Sequence, residues 1–187
     1  MLRTLTRQSP LFTSSVRGFK TSAAAFVKAG DSVPSLTLHE NSPGNTVDLA
    51  EETKTGKYVI IGVPGAYSPA CSASHVPGYI SRGGELAAKG VDGVFVVAVN
   101  DSFVTKAWGA ELTQGKDSKV PVRFIADHAG DFATKWDVLF DASKFFGNKR
   151  SKRYAAVVEN GKVQNAWIEP DSTGLDVSTA EKVVGQL

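Results

Sequence analysis

The 187-residue chain has a single cysteine, Cys71, so no disulfide can close within it and no cysteine-rich zinc set can form. Its three histidines, His39, His75 and His128, show no metal-ligand spacing. A C-x-x-C pair is also missing, because Ser68 stands three positions before Cys71; this argues against a dithiol-disulfide reductase. No G-x-x-x-x-G-K-[ST] pattern exists, which leaves Gly83-Gly84 and Gly90 as turn residues rather than a phosphate loop. No apolar run reaches the length of about 18 residues that a membrane span requires. The formal charge is only +2, which gives little electrostatic reason to bind nucleic acid. Long apolar runs are absent, but short ones recur after residue 30 without repeats or low-complexity stretches. About 160 residues there suit one domain with a sizeable core.

What remains centres on Cys71. Tyr58-Val59-Ile60-Ile61-Gly62-Val63 is a short β-branched run of the kind buried on both faces of a sheet, and Pro64-Gly65 ends it. Ser68 followed by Pro69 then reads as a helix start, with Ser as N-cap and Pro at N1. Cys71 falls at N3, where a thiolate would face unpaired backbone donors and the positive end of the helix dipole. Reactive thiols need such a setting, whereas a lone cysteine elsewhere reads as a small buried hydrophobe. From the residues alone, Ser68 is an N-cap spending its hydroxyl on the Cys71 N–H, Pro64 punctuates a strand and Arg153 is a solvated charge in a basic cluster. His75, four residues after Cys71, reads as a helix-packing or surface histidine ahead of a general base for a Cys-His hydrolase.

The rest of the chain gives a β-α-β-α-β order. A hairpin is expected around Ser35 to Leu49, split by Asn41-Ser42-Pro43-Gly44, and the helix from Pro69 should be kinked or interrupted at Pro77-Gly78 before running to Ala88. Strands follow at Val94 to Val99 and Val122 to Ala126, and helices at Phe103 to Leu112 and Asp131 to Trp136. Tyr154 to Val158 and Lys162 to Ile168 flank Asn160-Gly161, a type I′ hairpin signal. Ser178 to Leu187 reads as a closing amphipathic helix.

Pro64-x-x-x-Ser68-x-x-Cys71 resembles the active-site pattern of the peroxiredoxins, and the stretch from Tyr67 to Tyr79 resembles the type II, or peroxiredoxin 5, subfamily. The resemblance returns at Val99 to Val104 with Trp108, at Phe124 to Asp127 with Gly130, and at Gly147 to Tyr154, where Arg153 falls on the family's active-site arginine. It implies an α/β, thioredoxin-like fold with a central mixed β-sheet flanked by helices and an N-terminal hairpin extension. It further implies reduction of hydrogen peroxide and organic hydroperoxides without metal or flavin, and a homodimer. In that reading Cys71 is the peroxidatic nucleophile. Arg153 holds the thiolate and polarises the peroxide, Ser68 offers a hydroxyl, and Pro64 shields the sulfur from bulk water. Tyr67 and Phe146 are candidates to wall the peroxide pocket.

Departures from the pattern matter too. Val96 and Val177 occupy the places of a second, resolving cysteine, so a Cys71 sulfenic acid must be reduced from outside. Glutathione with glutaredoxin, thioredoxin directly, or another small thiol would each serve, as would a Cys71 bridge between subunits if two sites approach closely. Ser68 replaces the more frequent Thr and keeps the hydroxyl. A peroxide sensor or redox relay, passing oxidation from Cys71 to a partner, is the alternative function; sustained peroxide consumption separates the two.

At the N-terminus no acidic residue precedes Asp31, while Arg3, Arg7, Arg17, Lys20 and Lys28 are interspersed with Ser and Thr. This is the composition of a transit peptide, with Arg17-Gly18-Phe19 resembling a mitochondrial processing site. The expectation is a mitochondrial matrix protein with a leader at 1–19, or 1–26 after a second trimming, and a domain at 30–187. Loss of residues 1–19 deletes three arginines and takes the formal charge from +2 to −1.

Overall fold

The computed structural model describes residues 26–187; the expected leader at 1–19 lies outside them. The first elements are the hairpin strands β1 (Leu38–Glu40) and β2 (Ser42–Val47) and the short helix α1 (Leu49–Glu52). Strand β3 (Lys57–Val63) leads to a π-helical turn, Cys71–His75, which continues into α2 (Val76–Ser81) and then α3 (Gly83–Ala88). Next come β4 (Gly93–Ala98), α4 (Ser102–Thr113), β5 (Val122–Ala126) and α5 (Asp131–Lys135). A small excursion, β6 (Leu139–Asp141), α6 (Ser143–Phe146) and β7 (Lys149–Ser151), precedes the hairpin β8 (Tyr154–Glu159) and β9 (Lys162–Ile168) and the last helix, α7 (Ala180–Val184).

The main sheet runs β2-β1-β5-β4-β3-β8-β9, with β3, β4 and β5 parallel and the other pairs antiparallel. A strand segment buried on both faces must be apolar at every position, and β3 is so from Val59 to its end: Val59, Ile61 and Val63 enter one core with Tyr79, Leu86 and Trp108, while Ile60 enters the other with Phe132 and Trp136. Each fully buried aliphatic side chain contributes about 1.5–3 kcal/mol. The two cores account for helices on both faces, and β3 lies inside the sheet between β4 and β8 with its last residue, Val63, fully buried.

Three local expectations need correction. The N-terminal hairpin turns at Asn41 alone (φ 63°), and Ser42, Pro43 and Gly44 belong to β2; the proline is tolerated because β2 is an edge strand. Pro77-Gly78 do not interrupt their helix. Pro77 lacks an N–H and its ring crowds the carbonyl four residues back. The turn ahead of it widens instead, with Val76 N–H reaching Cys71 O, and the break falls later, at Arg82 (ψ 17°). The closing helix is shorter than Ser178 to Leu187, because Thr179 caps it and Ser178 is buried in a hydrogen-bond cluster.

Gly62 fixes the packing behind the site. It pairs with Tyr154 across β3 and β8, and a Cβ on Gly62 would lie 2.0 Å from Tyr154 Cε1 in a ring that is fully buried. Neither ring nor strand has room to retreat, so Gly62→Ala is expected to cost about 1–3 kcal/mol, measured as a lowered urea midpoint. An unchanged midpoint would show that the Tyr154 ring can move.

Candidate active site

The loop after β3 is held in place before it reaches the sulfur. Ala66 N–H donates to Asn100 Oδ1 at 3.1 Å, and Ser68 N–H to Gly65 O at 3.4 Å. Tyr67 adopts a left-handed φ of 61°, a strained conformation for a bulky residue, and its ring is half exposed. Trp108 on α4 donates from Nε1 to Ser72 Oγ at 3.0 Å, pinning the first turn of the helix.

Cys71 has no solvent exposure, and donors converge on its Sγ. Ser68 Oγ lies 2.8 Å away and Arg153 Nη1 3.3 Å away. The Ser68 hydroxyl also lies 2.9 Å from Gly65 O, so its one proton can go to the carbonyl or to the sulfur. Its side chain is therefore not the cap on Cys71 N–H that the sequence suggests. Arg153 precedes β8 and is almost wholly buried, not solvated; its Nε donates to Thr173 O at 3.1 Å and Gly174 O at 2.7 Å. Beside the sulfur opens a cavity of about 350 Å³ lined by Pro64, Ser68, Pro69, Ala70, Phe145, Phe146, Arg153 and Thr173. Pro64, Ser68, Cys71 and Arg153 thus come together from distant sequence positions. Phe146 walls the cavity as expected; Tyr67 does not line it and faces Trp108 instead, with ring centroids 6.5 Å apart.

Several participants were missed. Phe145, 76 % exposed, lines the mouth. His75 is neither at the surface nor a free base: it is 1 % exposed, with Nδ1 3.2 Å from Arg153 Nη1 and Nε2 3.1 Å from Ser178 O. Tyr79 Oη donates to the same carbonyl at 2.8 Å, and its pKa is pushed well above 10 by burial and by Glu169, so it remains a donor. Glu169 Oε1 accepts from Asp176 N, Ser178 N and Ser178 Oγ at 2.8, 2.9 and 2.7 Å, fixing the loop that supplies the Arg153 acceptors. His75 was visible as the residue four after Cys71; nothing in the sequence marks Glu169.

Burial, and then the adjacent Arg153 charge, lower the His75 pKa from 6.5 to about 3, so the imidazole is neutral in the folded protein. Between those values the unfolded chain binds a proton that the native state does not. Stability from this group is complete above about pH 6.5 and is lost, at about 1.4 kcal/mol per pH unit, as pH falls towards 3. The charged or titratable groups around it are Arg153, Cys71, Tyr79 and, through Ser178, Glu169. Urea unfolding should therefore show a steeper acid loss for the parent than for His75→Asn; equal slopes would refute a buried neutral imidazole.

Among the described residues, no group of His, Cys, Asp and Glu is arranged to hold a metal. The family model described as Redoxin matches residues 28–184. Peroxiredoxin-2D of Arabidopsis thaliana is 36 % identical over 164 residues, covering 86 % of this chain and 98 % of the relative. This chain belongs to the peroxiredoxin family. This peroxiredoxin has the thioredoxin-like fold of its structural relatives. It superposes on reduced Prx3 of Vibrio vulnificus in complex with hydrogen peroxide with a TM-score of 0.77 at 34 % identity, over 87 % of this chain and all of the other. It is a thiol peroxidase whose chemistry rests on one cysteine.

The peroxiredoxin is also 50 % identical, over 161 residues, to peroxisomal membrane associated protein 20 of Schizosaccharomyces pombe, covering 86 % of this chain and 99 % of the relative. That similarity overturns the mitochondrial matrix expectation, since the relative's name places it at another organelle. A basic, acid-free segment is a matter of composition and does not specify a destination. No described helix is long and apolar enough to cross a membrane.

Proposed function

We propose that this peroxidase is a type II, peroxiredoxin 5-like enzyme in which Cys71 is the peroxidatic nucleophile. The observation that carries the reading is the convergence of Ser68 Oγ and Arg153 Nη1 on a buried sulfur, both donors belonging to residues that line the Phe145–Phe146 cavity. The Cys71 thiolate attacks one oxygen of a hydroperoxide, the S–O bond forms as the O–O bond breaks, and the departing oxygen takes a proton to leave as water or alcohol. Sulfur is oxidised to the sulfenic acid.

Charge in the transition state spreads over sulfur and two oxygens, and fixed donors there need no reorganisation as the reaction proceeds. Arg153 spends one Nη1 hydrogen on sulfur, while its Nη2 hydrogens have no protein partner among the described residues and can serve the peroxide. Ser68 supplies a hydroxyl that switches from Gly65 O to the reacting atoms. Pro64 and the phenylalanines limit water. The apolar lining suits organic hydroperoxides as well as hydrogen peroxide.

With one cysteine, the sulfenic acid condenses with an external thiol, releasing water, and a second thiol displaces the mixed disulfide. Glutathione with glutaredoxin, or thioredoxin, would fill that role, acting on the domain at 30–187. Cys71 has no surface exposure, so the helix start must open before either can reach it. A homodimer is supported by the exposed rings of Tyr67, Phe103 and Phe145, whose apolar area a second copy would cover. Single-turnover oxidation of the reduced protein by hydrogen peroxide, followed by mass, tests the reading. Sulfenic acid formation far faster than with free cysteine is expected; a rate like free cysteine's would overturn it. Continued turnover with a thiol system would distinguish the peroxidase from a relay.

A further inference from the structure

We infer that His75 is a positioning residue for the peroxidase: its Nδ1 accepts one hydrogen of Arg153 Nη1 and thereby aims the other at the Cys71 sulfur. The inference rests on the role proposed above for Arg153.

A guanidinium Nη carries two hydrogens in a rigid plane, and it can only donate. At Arg153 Nη1 the acceptors are Cys71 Sγ at 3.3 Å and His75 Nδ1 at 3.2 Å. Both belong to the π-helical turn Cys71–His75, so one turn of backbone sets both bonds. The opposite edge of the side chain is fixed by the carbonyls of Thr173 and Gly174 on Nε. The sulfur is a variable partner, because it passes through thiolate, sulfenic acid and mixed disulfide during turnover. The imidazole is the constant one, and it keeps the guanidinium in register while the sulfur changes.

The tautomer this requires is imposed from outside the pair. Ser178 O can only accept, so the Nε2 facing it at 3.1 Å carries the hydrogen and Nδ1 is left with its lone pair. Ser178 is itself immobilised, its carbonyl by Tyr79 Oη and its N–H and hydroxyl by Glu169 Oε1. The depressed His75 pKa agrees with this arrangement, since a protonated ring could not accept from arginine.

A purely structural role, tying the helix to the 178 segment, uses the other ring nitrogen, and this makes the two separable. In His75→Asn the side-chain oxygen can occupy the Nδ1 position, whereas in His75→Gln the amide nitrogen can occupy the Nε2 position. We would measure single-turnover oxidation of Cys71 by hydrogen peroxide, together with urea unfolding, in the full chain carrying each substitution, beside Arg153→Ala. Expected is a rate within about threefold of the parent for His75→Asn despite lower stability, and a rate at least about tenfold lower for His75→Gln, the order of one charged hydrogen bond. In the Arg153→Ala background the Asn–Gln difference should vanish. Rates that follow stability, with Gln fast and Asn slow, would overturn the inference, as would a difference that survives loss of Arg153. If Arg153→Ala alone leaves the rate unchanged, the Arg153 assignment fails and this inference with it.

Discussion

Arg153→Ala is expected to slow oxidation of Cys71 by hydrogen peroxide by about 10²–10³-fold, the usual cost of removing one preorganised donor from a buried transition state. Stopped-flow measurement under single-turnover conditions checks it, with Cys71→Ser as the zero. The size follows from burial: Arg153 is 2 % exposed, so water cannot replace its hydrogen bond to sulfur as it would at a surface. Arg153→Lys should recover little. An ammonium has no planar fork, and it cannot hold the carbonyls of Thr173 and Gly174 while also reaching Sγ and His75 Nδ1. Recovery to near the parent rate with lysine would mean that charge alone suffices and that the fork geometry is incidental.

Glu169→Ala is expected to lower stability by about 3 kcal/mol and to slow peroxide oxidation with it. Three donors, Asp176 N–H, Ser178 N–H and Ser178 Oγ–H, lose one shared acceptor in a nearly dry site, and an unsatisfied buried donor costs about 1–3 kcal/mol. The segment they hold also presents Thr173 O and Gly174 O to Arg153, so the damage reaches the sulfur without Glu169 touching it. Urea unfolding and the single-turnover rate, measured together, check this. Full activity in a destabilised Glu169→Ala would show that the 171–174 turn keeps its shape unaided.

The sheet was legible because its central strands are apolar runs with no other stable destination. Val122 to Ala126 emerged as expected, and β3 and the Asn160-Gly161 turn within a residue, the latter with both φ values positive as a type I′ turn needs. Strands β6 and β7 were not legible, since three-residue segments such as Leu139–Asp141 carry no pattern and are ordered by what packs around them. At the site, the residue types were readable and their partners were not. Ser68 has a cap's identity and position, but its hydroxyl faces sulfur and a carbonyl rather than the helix N–H, because Arg153 has already drawn the sulfur into a polar cluster. His75 shares the Cys71 face in any helical reading. Only the chain's return at 153 and 178 decides which atoms its two nitrogens meet.

The bond from Trp108 Nε1 to Ser72 Oγ, one residue beyond Cys71, gives the molecule an optical gauge of its own chemistry. If the helix start opens to let a reductant in, the indole loses its hydroxyl partner and meets water, and its emission should shift to the red. Trp136 and Trp167 are held by Ser32 and Gln186, away from that turn, and supply a constant background. Fluorescence recorded through one cycle of peroxide and thiol would then separate in time the moment sulfur is oxidised from the moment it is exposed.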